Sequence, residues 1–162
     1  MPSGFHIIDP NFRYNFKPYL FQSLVASLVL LAVLSVEDAV DKAAVVAAIG
    51  STAFILFITP HSPFGNPRNV VGGHFLSLIA GSLAAIMTTD STFLLALEGA
   101  FAVGAAFLLM AIFDAEHGPA GGTALAVVII GFSWHLVFLL MGSVIAMSLA
   151  HQLLRSRLRD LT

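Results

Sequence analysis

Five long apolar stretches, separated by short polar segments, occupy most of this 162-residue chain. A helix needs about 20 apolar residues to cross the hydrocarbon core of a bilayer, with about 17 as the lower bound. Five stretches reach that length: residues 19–36, 43–59, 69–88, 93–113 and 123–154. The sequence therefore predicts an all-α, polytopic transmembrane helical bundle of about five spans.

The composition agrees with a membrane location. The chain is 58% hydrophobic and 10% charged, which is more apolar surface than one aqueous core could bury. Seven basic residues cannot form a phosphate-binding face, so we expect no nucleic acid partner. The absence of cysteine excludes disulfides and cysteine-ligated metals. We predict a multi-pass protein of the lipid bilayer, with a bacterial inner membrane as the expected location.

The chain divides into three predicted segments. Residues 1–18 interleave aromatic and basic side chains, which is typical of an interfacial segment, although a disordered tail has the same composition. Residues 19–154 form the transmembrane domain, and residues 155–162 form a basic tail with three arginines. Five crossings would place Lys17 and Arg68 on one side and the tail on the other. The positive-inside rule then gives no orientation.

The last apolar stretch, residues 123–154, is too long for a simple perpendicular crossing. It is either tilted or broken near the sequence GFSW, which starts at Gly131. We favour the break, with residues 120–130 as a half-helix that leads into a full span from Trp134.

Small residues recur at every fourth position in three of the stretches. Such stripes let helix backbones approach closely where lipid gives no hydrophobic drive to associate, although alanine and glycine are also simply common in membrane helices. The stripes are Gly73, Ser77, Gly81 and Ala85; Ala96, Ala100 and Gly104; and Gly142, Ala146 and Ala150. We predict a tightly packed bundle. Because five spans leave little room for a sealed pathway in one protomer, we also expect a homo-oligomer.

Two polar segments interrupt the apolar pattern. The first, TPHSPFGNPRNVVGGHF at residues 59–75, holds three prolines and cannot be helical throughout. We predict a loop or re-entrant element there, followed by a helix with Asn69 as its N-cap. The second is DAEHGPAGG at residues 114–122. Both contain His-x-Pro followed by Gly-Gly. If they form a parallel internal repeat, both loops emerge on the same side, but chance or shared helix-end chemistry gives the same pattern.

The residues around the two glycine pairs predict an anion site. Helix starts present unpaired amides and a partial positive charge, glycines let a ligand reach the backbone, and Arg68 adds a cation. The nearby histidines could bind an anion when protonated or pass a proton to it, or they could simply satisfy loop carbonyls. The predicted substrate-binding residues are His61, Arg68, Asn69, Gly72, Gly73, His74, His117, Gly121, Gly122 and Thr123.

Two further ionisable residues, Glu98 and His135, fall inside the predicted spans. An ionisable group at membrane depth is a functional hypothesis by default, so we predict that both take part in proton coupling. His135 should face the bundle interior, because its exposure to lipid is costly. For Glu98 the alternative is that its side chain reaches the nearby interface.

The two polar segments resemble those of the HPP family of small integral membrane proteins. PHSPFGNPRNVVGGH and HGPAGGTAL are similar to the family's PHSP…QPRNxxGGH segment and its His-Pro-Pro-Ala-Gly-Ala-Thr-Ala-Leu segment, and the likeness covers about residues 43–125. The chain departs at Gly118 and Gly122, where the family has proline and alanine. Some family members are implicated in nitrite transport across cyanobacterial and plastid membranes. The resemblance implies a transporter or channel for a small monovalent anion, with nitrite as the first candidate. Its transport could be linked to protons.

Two other functions stay open. An intramembrane metal-binding protein or enzyme could use His61, His117, Asp114, Glu116 and Glu98. The sequence has no Gly-x-Ser-x-Gly and no His-Glu-x-x-His, so we predict no catalytic residue, no bound metal and no cofactor. A partner subunit that does not itself transport is the third possibility, supported by the small-residue stripes.

Overall fold

The computed structural model describes residue 12 and residues 15–35, 43–86 and 91–161. The regular structure of these residues is entirely helical, which confirms the predicted class. Most of the predicted interfacial segment, residues 1–18, lies outside them. The six helices are α1 (Lys17–Ser35), α2 (Ala43–Ile58), α3 (Pro67–Ala84), α4 (Thr92–Ile112), α5 (Ala120–Ile130) and α6 (Trp134–Leu154), with 3-10 turns at Pro63–Gly65 and Arg155–Arg157.

Among the described residues, two helical segments are long and apolar enough to cross a membrane, Thr92–Ile112 and Trp134–Arg157. Other apolar helical segments are shorter, namely Lys17–Ala32, Ala43–Ile58 and Ala120–Ile130. Large apolar side chains also cover the outside of the bundle: Phe101 is 76% exposed and Leu153 is 82% exposed. An extensive apolar exterior is typical of a protein surrounded by lipid.

The predicted break between α5 and α6 is confirmed. Gly131 has φ of 86°, in the left-handed region that favours glycine, and it ends α5. Ser133 then caps α6, because its hydroxyl accepts a hydrogen bond from the Leu136 amide at 3.1 Å. At about 1.5 Å per residue the 11-residue α5 is only about half as long as a bilayer core is thick.

Two of the interhelical loops that the structure describes, α2–α3 and α4–α5, lie at one end of the bundle. The start of α1 is at the same end, because Gln22 Nε2 donates to the carbonyls of Phe57 and Arg159, each at 2.7 Å. The Leu161 amide donates to the Ile58 carbonyl at 3.0 Å, which holds the C-terminal segment there too. We call this end, formed by residues 17–22, 57–68, 112–120 and 154–161, the loop end.

The arrangement at the loop end changes the predicted crossing pattern. An odd number of crossings would separate the start of the first helix from the end of the last one. Gln22 of α1 instead bonds Arg159, which follows α6. The expectation that the C-terminal arginines lie opposite Lys17 and Arg68 is therefore wrong, whereas the number of membrane crossings stays a prediction.

Helix α3 is at the centre of the bundle and packs against α4, α5 and α6. Its small-residue stripe makes the predicted close contact: a Cβ on Gly81 would lie 2.6 Å from the Ala124 carbonyl oxygen of α5. The glycines of the α4 and α6 stripes do not. A Cβ on Gly104 or Gly142 would meet no atom of the described structure within 4 Å. These two glycines therefore face outward, although Ala150 of the α6 stripe packs against the core.

Candidate functional site

The first turn of α3 is fastened to the α4–α5 loop. Arg68 donates from Nη2 to the Phe113 carbonyl at 2.9 Å, and its Nη1 lies 2.9 Å from Asp114 Oδ2. Asn69 Nδ2 donates to the Glu116 carbonyl at 3.1 Å. The two polar segments therefore meet at one end of the bundle, as predicted. Whether they are true repeats stays a prediction.

Asn69 does not cap α3 as predicted. The helix begins two residues earlier, at Pro67, and Asn66 occupies the N-cap position without a side-chain cap. Proline suits this first position because it has no amide hydrogen to leave unpaired and its φ is already helical. The earlier start turns the Asn69 amide towards the neighbouring loop instead.

A buried polar cluster lies directly beneath this contact. We call it the histidine cluster: His74 from α3, His117 from the α4–α5 loop, Thr52 from α2 and Thr123 from α5. All four side chains are at most 1% exposed. The Thr52 hydroxyl lies 3.0 Å from Nε2 of each imidazole, and the ring centroids are 5.2 Å apart.

The outer nitrogens of the two rings are also bonded. His74 Nδ1 lies 2.7 Å from the Thr123 hydroxyl, and His117 Nδ1 lies 2.8 Å from the carbonyl oxygen of Phe64. Four hydrogen bonds thus connect the α2–α3 loop, the α4–α5 loop and three helices. This accounts for burial of two imidazoles in an apolar bundle, since an unpaired buried polar group is costly.

When both rings are neutral, the bonding partners fix the direction in which the hydrogen bonds of the cluster run. A carbonyl only accepts, so His117 Nδ1 carries the hydrogen and its Nε2 must accept from the Thr52 hydroxyl. Thr52 then accepts from the Nε2 hydrogen of His74, and His74 Nδ1 accepts from Thr123. All four hydrogen bonds run the same way, from Thr123 to Phe64, and the two histidines are opposite tautomers.

Burial keeps the α4–α5 loop histidine neutral. Desolvation lowers the pKa of His117 below its ordinary value of 6.5, and the bond to the Phe64 carbonyl opposes this only in part. The neighbouring acid, Asp114, is at the surface and paired with Arg68. At neutral pH the His117 imidazole is therefore an uncharged member of the chain of hydrogen bonds.

The four predicted glycines lie at close contacts between elements. A Cβ on Gly73 would lie 2.9 Å from His117 Cβ, and one on Gly72 would lie 3.3 Å from Ala115 Cβ. A Cβ on Gly121 would meet the Phe107 ring at 2.8 Å, and one on Gly122 would lie 3.1 Å from Ala48 Cβ. The missing side chains at these positions let the α4–α5 loop and α5 lie close to α3, α4 and α2.

The amides at these positions are already bonded within the protein. The Gly121 and Gly122 amides donate to the carbonyls of Gly118 and Pro119 at 3.1 and 3.0 Å. Gly72 and Gly73 lie in the second turn of α3, where amides donate four residues back. Anion binding by these amides stays a prediction, and it requires a second conformation.

The remaining predicted residues lie outside the histidine cluster. His61 is half-exposed and lies near Asp160 in the C-terminal segment, with 3.6 Å between Nδ1 and Oδ1. Glu98 lines a cavity of about 440 Å³ between α3 and α4, whose walls are otherwise apolar. His135 is exposed in the first turn of α6. The prediction that it faces the bundle interior is wrong, because the break at Gly131–Ser133 puts it at a helix end.

Sequence reasoning missed Thr52 and Gln22. Both are fully buried polar side chains within strongly apolar helices, and that isolation was the available signal. It is a weak signal because a threonine hydroxyl can also bond its own helix. Thr52 does so as well, at 2.9 Å from the Ala48 carbonyl. Its position opposite two histidines follows only from the packing of α2 against α5 and α6.

Comparisons with known proteins identify the family of this chain. The HPP transmembrane-region family matches residues 12–160, so the chain belongs to the HPP family. It is similar to two transmembrane proteins of Dictyostelium discoideum, at 34% identity over 102 residues and 30% over 100 residues. Each alignment covers 60% of this chain but only 35% and 32% of the relatives, so the chain spans about a third of their length. No solved structure matches the chain.

Proposed function

We propose that this HPP protein is a multi-pass membrane transporter, rather than an enzyme, for a small monovalent anion, with nitrite as the first candidate and a proton moving with it. The observation that carries the proposal is the histidine cluster. Two imidazoles are fully buried in an apolar bundle, and they come from the two segments that resemble the family motifs. Ionisable groups at such depth are typical of proton and ion pathways.

The chemistry of the cluster suits an anion that arrives with a proton. Neutral imidazoles give no positive charge, so an anion alone gains little from them. A proton on His74 or His117 creates an imidazolium that pairs with the anion. Nitrite is the conjugate base of a weak acid and can itself carry the proton. Charge neutrality in the low-dielectric interior therefore favours joint movement of the two.

The tight packing around the cluster requires opening during transport. A Cβ on Gly73 would lie only 2.9 Å from His117 Cβ, and the Phe64 carbonyl closes the outer side of that ring. The α2–α3 and α4–α5 loops would have to separate for an anion to enter. Arg68 is 65% exposed at this end, where its guanidinium can attract the anion first.

The charge distribution supports one orientation. All five lysine and arginine residues that the structure describes lie at the loop end: Lys17, Arg68, Arg155, Arg157 and Arg159. Basic residues near membrane helices stay in the cytoplasm. We therefore place the loop end on the cytoplasmic side of a bacterial inner membrane, with all six helices crossing and α5 completing its crossing through residues 131–133.

Single cysteines test this orientation, because the natural chain has none. Ser156→Cys lies at the loop end and Thr92→Cys at the opposite end. In intact cells a membrane-impermeant maleimide should label Thr92→Cys, and it should label Ser156→Cys only after lysis. Labelling of Ser156→Cys in intact cells would overturn the orientation.

Flux in proteoliposomes tests the function. With an inward proton gradient, the wild-type protein should take up nitrite above empty liposomes, and His74→Gln and His117→Gln should abolish this. His151→Gln is the matched control: it is also a buried histidine, but its Nε2 bonds the Pro60 carbonyl at 3.1 Å outside the cluster. No wild-type uptake, or equal uptake by all variants, would end the proposal.

We also propose a homo-oligomer. The outward glycines Gly104 and Gly142 have open space where another helix can approach closely. Light scattering of the purified protein in mild detergent should give a multiple of the protomer mass. A strictly monomeric protein at all concentrations would contradict this.

A further inference from the structure

We infer that the Thr52 hydroxyl relays protons between His74 and His117, an inference that rests on the proposed transport function. Thr52 belongs to neither of the two polar segments, and nothing in its own helix requires a hydroxyl there. Its position between the two Nε2 atoms makes it the link through which a proton on one ring can reach the other.

The geometry gives this single hydroxyl three hydrogen-bond neighbours. Thr52 Oγ1 lies 3.0 Å from His74 Nε2, 3.0 Å from His117 Nε2 and 2.9 Å from the Ala48 carbonyl oxygen. One hydrogen can serve only one of them at a time. While His74 carries its hydrogen on Nε2, the hydroxyl points to His117, and it can turn to His74 only when that nitrogen has lost its hydrogen. The Ala48 carbonyl of its own helix is a third partner.

The relay step balances without any further reactant. A proton that arrives at His74 Nδ1 makes that ring an imidazolium. Its Nε2 hydrogen passes to Thr52 Oγ1 as the hydrogen of Thr52 passes to His117 Nε2. One N–H and one O–H bond break and one of each forms, so His74 is neutral again and His117 carries the charge. The transfer leaves His74 protonated at Nδ1 and the Thr52 hydroxyl turned towards His74 Nε2. The cluster resets only after His117 has given up a proton and the hydroxyl and the rings have returned to their starting arrangement.

The surroundings leave the two histidines as the exchanging groups. Helices α2 and α5 carry no titratable side chain. Arg68 of α3 and Asp114 of the α4–α5 loop pair with each other at the surface, and His61 of the α2–α3 loop lies by Asp160. Glu116 precedes His117 and is half-buried, while Glu98 of α4 lines the separate cavity and His135 and His151 of α6 lie at its two ends.

Substitution of the hydroxyl by a methyl group tests the relay. Thr52→Val keeps the side-chain volume and removes the proton path, whereas Thr52→Ser keeps the hydroxyl. Thr59→Val is the matched control, because the Thr59 hydroxyl also bonds the carbonyl four residues back, at 3.2 Å from Ile55, but touches no histidine. Thermal unfolding in detergent identifies which variants are folded.

We expect Thr52→Val to slow proton-driven nitrite uptake by about 100-fold, the lower end of what a positioned proton-transfer group contributes. Thr52→Ser should stay within about threefold of the wild type and Thr59→Val should match it. If folded Thr52→Val takes up nitrite and protons at the wild-type rate, the relay is wrong although transport stands. If the wild type moves no nitrite, the proposed function fails instead.

The tautomers give a readout that does not depend on transport or on any variant. Histidine ¹⁵N NMR of the wild-type protein at neutral pH should show His117 protonated at Nδ1 and His74 protonated at Nε2. Finding both rings in the same tautomer would overturn the relay, because Thr52 could not then bridge them in one direction.

Discussion

The substitution Gly81→Ala tests the central packing contact of the bundle. A Cβ at Gly81 would lie 2.6 Å from the Ala124 carbonyl oxygen and 2.9 Å from Val127 Cβ, both on α5. Backbone atoms cannot rotate away as a flexible side chain can, so α5 must move. Thr123, next to Ala124, bonds His74 at 2.7 Å. The same displacement should therefore lengthen a bond of the histidine cluster.

The magnitude follows from two opposing effects. Overpacking of this severity costs up to about 3 kcal/mol, and alanine gains about 1 kcal/mol over glycine in a helix. The net loss in the free energy of unfolding is about 2 kcal/mol, which lowers the melting temperature by about 4–8 °C for a chain of this size.

Gly104→Ala is the matched control, because a Cβ there meets nothing within 4 Å. Alanine is about 1 kcal/mol more favourable than glycine within a helix, so this substitution should raise the melting temperature of the monomeric protein by about 2–4 °C. The assay is thermal unfolding of both variants in the same detergent, monitored by circular dichroism or intrinsic fluorescence. A melting temperature of Gly81→Ala equal to or above the wild type would refute the close approach of α3 and α5.

Three further predictions concern the loop end. The exposed Arg68–Asp114 pair should contribute only about 0–1 kcal/mol in a double-mutant cycle of unfolding, so a coupling well above that would contradict the surface geometry. Gln22→Leu should release the C-terminal segment, because Gln22 bonds both the amide and the carbonyl of Arg159. Limited proteolysis should then cut this variant near its C-terminus sooner than the wild type. Unchanged cleavage would count against the contact. Burial lowers the pKa of His117 in the folded state, so below pH 6.5 the unfolded state binds more protons than the folded state. The contribution of the neutral His117 ring to stability is therefore full above pH 6.5 and is lost as the pH falls below it. Melting temperatures at pH 8 and pH 5 should therefore differ less for His117→Asn than for the wild type, and equal differences would argue against a buried neutral ring.

The helices were predictable from local sequence. The length of the apolar runs predicted the helical stretches, and Gly131 with Ser133 predicted the break before Trp134. Both signals depend only on residues that are neighbours in the sequence. The start of α3 was placed two residues late, since the proline at its first position was read as loop. The end of the bundle at which the C-terminal arginines lie was not predictable, because it depends on the long-range contact between Gln22 and Arg159.

The site was predictable in part. The two polar segments indicated that His74, His117 and Thr123 belong together, and the structure places them in one cluster. Thr52 could not be found, because α2 gives no sign of which face meets the histidines. The glycines were read as openings for a ligand, whereas each is a contact that lets two elements approach. Sequence shows that a side chain is absent but not what fills its place.

Simultaneous recording of nitrite uptake and internal pH in wild-type proteoliposomes tests the account most directly. The account predicts that an imposed nitrite gradient drives nitrite and protons inward together, and that His74→Gln eliminates both signals while His151→Gln keeps both. Nitrite entry without any accompanying proton, or with the same proton signal in His74→Gln, would contradict a role for the buried histidines in transport.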